Sequence, residues 1–346
     1  MLPETINRTP FATEALFIAD EEGVPVLVPI VKGTYEIGTG GRLNLADQQI
    51  PVNSTGERWT PTESSSYKYE PETALIKPGT DVVLIGSAYS AHSRVAEVDV
   101  TLRVGPLEKS VHVTGDRTWV KRIGGGISAT SPQPFERMPL VYERAFGGWD
   151  RSSPDSASHS FEPRNPVGVG FRTSRRTFQD GLSLPNIEDA RIRIGGIGDT
   201  PPPAGLGFVS PDWQPRAALA GTYDQAWMKT RMPLLPVDFD RRFFNAASSG
   251  LTSASHLRGD EPVLARNVIP SGELAFRLPG VPAPLCSIRF ARAAERRVET
   301  QLDTVIINSD EGRLLLLWRG VAPVRAYPHE IRTISIDAEG VPIHTQ

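Results

Sequence analysis

The chain has 346 residues, 39% hydrophobic and 22% charged, with a formal net charge of -3. That length supports a substantial core in one large domain or two ordinary ones, and a near-neutral balance without a long basic run gives no reason to expect nucleic acid. The single cysteine, Cys286, excludes an intrachain disulfide and fits a reducing compartment. The longest apolar runs, such as residues 314–318, are far too short to cross a bilayer, and the N-terminus lacks the basic start and apolar run of a signal peptide. A cytoplasmic protein with no membrane association is the expectation.

Glycine and proline number 31 each and are spread along the whole chain, which predicts many turns between short elements and no disordered linker. Residues 13–37 are rich in Val, Ile, Thr and Tyr without helical period and read as one or two strands, with Gly38–Gly41 as the following turn. Residues 42–50 are a candidate return strand, and 51–70, polar around Trp59, read as a loop. A strand is expected over Asp81–Ser87. From 94 to 119 the pattern alternates: Val95, Val98, Val100, Leu102 and Val104 mark one strand, Gly105-Pro106 a turn, and Val111 and Val113 the return. Residues 120–185 predict long ordered loops with short pieces of strand, a length of irregular chain that is uncommon unless it has a role.

Residues 205–250 carry two of the six tryptophans among many prolines, glycines, arginines and aspartates. Thr222 and Gln225 form a Thr-x-x-Gln capping box, and Tyr223, Ala226, Trp227 and Thr230 recur at helical spacing until Pro233 stops the helix. A second short helix is expected near Asp238, with Phe243 and Phe244 on it. Strands follow at 261–268, 272–280, 285–293, 302–310 and 313–320, with a hairpin turn at Asn308–Gly312 and a further hairpin around Glu339-Gly340. The segments 98–113 and 274–290 share a strand, Gly/Pro turn, strand plan, which any two hairpins share. The predicted fold is mainly β, a β-rich α+β chain. It is one family domain over 1–346, with two β-sandwich-like lobes at 1–120 and 251–346 joined by a loop-rich hub, 121–250, holding one or two short helices.

Signatures of catalysis are missing. His92, His112, His159, His256, His329 and His344 do not pair at metal-ligand spacing, and Thr333 stands where a His-Glu-x-x-His motif beginning at His329 needs its second histidine. Lys109-Ser110 lacks the second glycine of a phosphate loop, and the clusters at Gly124–Gly126 and 195–198 do not fit dinucleotide spacing. No Gly-x-Ser-x-Gly elbow occurs. Asp238, Asp240 and Glu143 could supply paired carboxylates, but Arg241, Arg242 and Arg144 adjoin them and favour ion pairs, which keep a carboxylate ionised.

The segments VKGTYEI (31–37), KPGTDVVLIGSAY (77–89), GDRTW (115–119), PLVYERAFGG (139–148), NPVGVGF (165–171) and LPNIE (184–188) occur in that order. They are followed by the long block PDWQPRAALAGTYDQAWMKTRMPLLPVDFDRRFFNAA (211–247), then LRGDEPV (257–263), FRLPG (276–280) and LDTVIINSDEGRLLLLWRG (302–320). Together they resemble the bacterial family called domain of unknown function 2169. One departure is Ser248-Ser249-Gly250-Leu251, where members often carry a Pro-x-Asp-Gln segment; it puts any contact assigned to that segment in doubt. The resemblance implies a non-enzymatic adaptor or chaperone of the type VI secretion system. Such a protein binds a toxin effector or its PAAR-like spike-tip domain and helps load it on the VgrG spike, without a cofactor. The contact residues expected from aromatic and arginine enrichment are Trp213, Arg216, Tyr223, Trp227 and Arg231 in the hub, with Tyr142, Arg144 and Phe146. The polar loops 51–70 and 150–162 are candidates for cargo choice. Two other readings stay open: a hydrolase using Asp238, Asp240, Glu143 and His256, and a structural component of the secretion apparatus.

Overall fold

The most apolar stretches of the sequence lie at the centre of the largest sheet. The computed structural model describes residues 3–62, 64–90, 95–173, 180–324 and 328–338. Fifteen elements suffice to place the site. They are β1 (Glu4–Arg8), β2 (Ala12–Ala19), β3 (Pro25–Ile37), β4 (Asp81–Ile85), β5 (Glu97–Val104), β6 (Leu107–Thr114), β7 (Ile187–Asp189), helix α1 (Gln225–Thr230), β8 (Pro262–Arg266), β9 (Glu273–Arg277), β10 (Leu285–Phe290), β11 (Arg296–Glu299), β12 (Gln301–Asn308), β13 (Arg313–Arg319) and β14 (Ile331–Asp337). The chain is mainly β, as its composition predicts. The hairpin proposed around Glu339-Gly340 lies outside the described residues.

β2, β3, β13, β12 and β4 run side by side in a seven-stranded sheet, completed by the short strands Leu43–Leu45 and Ala322–Pro323 beside β3. β12 pairs antiparallel with β13 and parallel with β4. The runs TVIIN and LLLLW do not alternate because both faces of this sheet are covered, as is usual for buried sheets. One face, with Leu27, Val31, Val82, Leu84, Val305, Leu316 and Trp318, packs on two smaller sheets. These are a five-stranded sheet in the order β7, β6, β5, β8, β9 and a four-stranded sheet in the order β1, β14, β10, β11. The smaller sheets keep one face wet, so β5, with Val100, Leu102 and Val104 inward, alternates. On the other face, Val83, Ile85, Ile306, Leu315 and Leu317 meet Phe208 and Ala246 of the hub, while Val26, Val28 and Ile30 meet Leu75. Each such aliphatic side chain contributes about 1.5–3 kcal/mol by its burial.

The lobes expected at 1–120 and 251–346 are not separate units. All three of these sheets draw strands from both segments, because β12 and β13 insert between the N-terminal strands β3 and β4. Residues 274–290 are likewise no hairpin: β9 belongs to the five-stranded sheet and β10 to the four-stranded one. The hub therefore does not bridge two halves. It closes one side of the seven-stranded sheet, where the amides of Val82 and Leu84 on β4 donate to the carbonyls of Leu251 and Leu206.

That closure is held by buried charge. Lys32, Lys77, Arg216 and Arg319 meet Glu70, Glu72, Asp81 and Asp303, four cations with four anions, all buried. Lys32 Nζ donates to Glu72 at 2.7 Å, and Arg319 pairs with Asp303 while donating to the carbonyls of Ala74 and Glu72. Lys77 Nζ donates to Thr304 Oγ1 at 2.9 Å and to Asp81 at 2.8 Å. Arg216 pairs with Glu70. Asp81 is fully buried and accepts four hydrogen bonds in all, the others from Asn245 Nδ2, the Ala246 amide and Thr252 Oγ1. Asp81→Ala would leave Lys77 buried without its anion and strip the hub of its anchor, a loss of about 3–5 kcal/mol. Thr252→Val removes one neutral donor and would lose about 1 kcal/mol. Chemical unfolding of the two variants checks this, and a loss below about 1 kcal/mol for Asp81→Ala would refute the anchoring role.

Candidate protein-docking surface

The hub's helix is capped two residues after the predicted position, by Asp224 and not Thr222. Asp224, a preferred N-cap residue, accepts the Trp227 amide at 2.8 Å, and α1 runs from Gln225 to Thr230 before Pro233. The Thr222–Gln225 capping box does not form. Thr222 instead donates through its amide and hydroxyl to Asp238, at 2.9 and 2.7 Å. The second expected helix is a 3-10 turn, Arg241–Phe244, capped by Asp240.

Only Trp227 and Arg231, one turn apart, face inward. The Trp227 indole Nε1 donates to the Leu234 carbonyl at 2.9 Å, and the Tyr223 ring meets the indole edge-on at 4.8 Å between centroids. Arg231 ties the segment to the β2–β3 turn through Glu22 at 2.8 Å and the Glu21 carbonyl, and Arg241 adds a pair with Glu21. Gly23 in that turn has φ +77, a left-handed conformation that favours glycine, and Leu234 Cδ2 lies over the place a Cβ would take, at 2.7 Å. The other side of this segment is open. Tyr223 is 51% exposed, Met228 59%, Met232 61% and Val237 87%, and these are four of the eight large apolar side chains left exposed among the described residues. All four fall within residues 223–237, the knob of the hub.

The eight contact residues expected from sequence separate into three groups. Tyr142, Phe146, Trp213 and Arg216 are buried and present no surface. Trp213 packs edge-on to Tyr142 at 5.3 Å, and Arg216 is committed to Glu70, to the carbonyls of Val209 and Phe243, and to the Phe243 ring. Arg144 is half-buried and donates to Asn186 at 2.9 Å. Tyr223, Trp227 and Arg231 do lie in the knob. Met228, Met232 and Val237 were missed. Helical spacing did not point to them: of the stripe Tyr223, Ala226, Trp227 and Thr230, only Trp227 turns inward.

The loops named for cargo choice differ. Residues 51–70 are pinned down: Glu143 accepts from Ser65 Oγ, Ser66 Oγ and the Ser66 amide at 2.7–2.9 Å, and Trp59, Tyr67 and Tyr69 pack on the sheet. Residues 150–162 are bracketed by an exposed aromatic pair, Trp149 before the loop and Phe161 near its end, 4.6 Å apart, with Arg151 over the indole at 5.0 Å.

The candidate acids and bases are each occupied in separate structural bonds. Asp238 holds Thr222, Asp240 holds Arg242, Glu143 holds Ser65 and Ser66, and His256 Nε2 lies 2.9 Å from the Lys77 carbonyl. The Thr222 amide holds the Asp238 carboxyl below its usual range, and the Arg242 side chain does the same for Asp240, the opposite of what a general acid needs. Among the described residues, no three His, Cys, Asp or Glu side chains gather to hold a metal ion, and no helix is long and apolar enough to cross a membrane. Burial pushes the Lys109 amine down to about 8. Its Nζ donates to Ser248 Oγ at 2.6 Å and to the Ser249 carbonyl at 2.8 Å. Ser248 is buried, so this contact ties the end of the hub to β6. The segment Ser248–Leu251 thus has defined structural contacts here.

Two outcomes follow from these environments. Met228→Ser with Val237→Ser would shift stability by less than about 0.5 kcal/mol, whereas Trp213→Ala would cost about 3–5 kcal/mol; thermal and denaturant unfolding separate them, and comparable losses would contradict the assignment of surface and core. Burial pushes the Cys286 thiol up to about 12, with the Asp337 charge adding. An aromatic disulfide reagent at pH 8 would therefore react only as the protein unfolds, and prompt reaction of the native protein would contradict that.

No curated protein and no solved structure matches the chain significantly. A family model described as an uncharacterized protein conserved in bacteria matches residues 22–319, most of the chain and every numbered strand above except β1, β2 and β14. The chain is therefore a member of the bacterial DUF2169 family.

Proposed function

We propose that this protein is a non-enzymatic adaptor or chaperone of type VI secretion, which binds an effector or its PAAR-like spike-tip domain in the cytoplasm and helps load it on the VgrG spike. The observation that carries this reading is the apolar knob at 223–237, set on a rigid scaffold by Asp224, Trp227 and Arg231. A patch with two methionines and a tyrosine suits an apolar partner segment, because the thioether side chains adjust to irregular shapes and an aromatic contributes contact area at low entropic loss. Covering a partner's apolar segment would keep that cargo soluble until it is handed on. The exposed Trp149–Phe161 pair is a second surface suited to such contact.

The test is co-purification with the effector encoded beside the gene. The triple variant Met228→Ser, Met232→Ser, Val237→Ser should stay folded and lose most of the captured effector, at least about tenfold for a patch worth 1.4 kcal/mol or more. Undiminished capture by the folded variant would remove the knob from the interface. Failure of the wild-type protein to capture any neighbouring effector, PAAR-like protein or VgrG would remove the adaptor reading itself.

A further inference from the structure

Sheet edges present rows of unpaired backbone groups, and proteins usually shorten, charge or cover them. Three of the outer strands here are managed in that way. β1 and β11 are short and charged, with Glu4 and Arg8 on one and Arg296, Arg297 and Glu299 on the other. β9 has the turn at Gly41 packed against the Ala275 carbonyl. In the seven-stranded sheet, β4 is closed by the hub. Its opposite edge, β2, is not managed. The strand is eight residues long, ATEALFIA, with one charge and no proline, and among the described residues it pairs with β3 alone.

The hydrogen-bond parity identifies which groups are free. Ala15 stands opposite Pro29, and Ala19 opposite Pro25. The Pro29 and Pro25 carbonyls accept from the Gly320 and Val324 amides on the far side of β3, and proline has no amide to give. The odd-numbered residues of β2 therefore turn away from β3, in agreement with the Ala15 amide, whose contact is its neighbour's Glu14 carboxylate at 3.3 Å. Thr13, Ala15, Phe17 and Ala19 thus aim backbone amides and carbonyls outward. Both faces of the strand are apolar and only half-buried: Ala15 and Phe17 lean on the main core, Leu16 and Ile18 on the cluster of Val26, Val28 and Ile30. A strand laid alongside would complete both layers.

We propose that β2 accepts an extended segment of a partner polypeptide by strand addition, one that is apolar on both faces and carries a lysine or arginine beside Glu14. The charge argues against a second copy as the occupant. Residues 9–31 contain Glu14, Asp20, Glu21 and Glu22 and no lysine or arginine, so no register of β2 on β2 offers Glu14 a cation. The partner assignment rests on the adaptor reading, and the site adjoins its surface: Arg231 and Leu234 join the knob to the β2–β3 turn. Backbone pairing supplies affinity for many sequences, and side chains on alternate positions supply choice.

The probe is a labelled peptide of about eight residues, valine and alanine in alternation with one central lysine, titrated against the full chain. Saturable binding is expected. Amide exchange at Thr13, Ala15, Phe17 and Ala19 should slow by about tenfold or more in the complex. Glu14→Lys should weaken the peptide about fivefold and favour a version with glutamate in place of lysine. Ala15→Pro, which removes an outward donor and no ladder bond, should abolish binding, while Leu16→Pro breaks the ladder and should destabilise the fold. No saturable binding up to about 1 mM, binding that leaves those four amides unprotected, or a dimer that Ala15→Pro dissolves would each overturn the proposal, the last in favour of a second copy. If Ala15→Pro fails to fold, Glu14→Lys and the exchange pattern decide. None of these readouts uses an effector, so their failure leaves the adaptor reading to the co-purification test.

Discussion

A β-sheet satisfies its backbone hydrogen bonds everywhere except at its two edges, and the rest of this structure depends on how those edges are treated. On β4 the hub supplies carbonyls from Leu206 and Leu251 to the outward amides. On β2 nothing comparable is present among the described residues. The difference is a matter of connectivity. The stretch 115–261 between β6 and β8 has only short strands of two to four residues, and part of it closes β4 and covers one face of the large sheet.

Irregular chain can only cover a sheet if something fixes it there. Here that is the set of eight buried charges centred on Asp81, Lys77, Asp303 and Arg319. Burying charges carries a large desolvation penalty that pairing alone rarely recovers. The arrangement is tolerable because the signs balance and because the remaining donors and acceptors are used: backbone carbonyls at 72 and 74, the Ala246 amide, Thr252 and Thr304. Such a network gives specificity of docking more than net stability. It holds the loop at 70–77 and the hub in one place, and so holds the knob at 223–237 next to the β2–β3 turn.

The parts of the fold legible in the sequence were those with local signals. The hairpins 97–114 and 301–319 were readable from alternation or apolar runs flanking Gly105 and Gly312. Their sheet partners were not, because β10 pairs with β14 beyond the intervening β11, β12 and β13, and β4 with β12 more than two hundred residues on, and no local pattern encodes that. The helix cap failed for a similar reason. Thr222 and Asp224 are both good caps, and a distant residue, Asp238, takes Thr222 away. For the site, aromatic and arginine content pointed at the right segment and partly at the wrong side chains. Trp213, Tyr142, Phe146 and Arg216 have the composition of an interface and the position of a core, and composition does not distinguish the two.

The account joins a sealed edge, an open edge and an apolar knob into one binding side on a member of a family of bacterial proteins. Its central claim is the asymmetry of the large sheet. Residue-resolved amide exchange on the free protein tests it most directly. Val82 and Leu84 should exchange only with global unfolding, and Thr13, Ala15, Phe17 and Ala19 at rates near those of open loops, a contrast of about a thousandfold or more for a stable domain. Equal protection along β2 and β4 would mean that β2 is already covered, and would contradict the account.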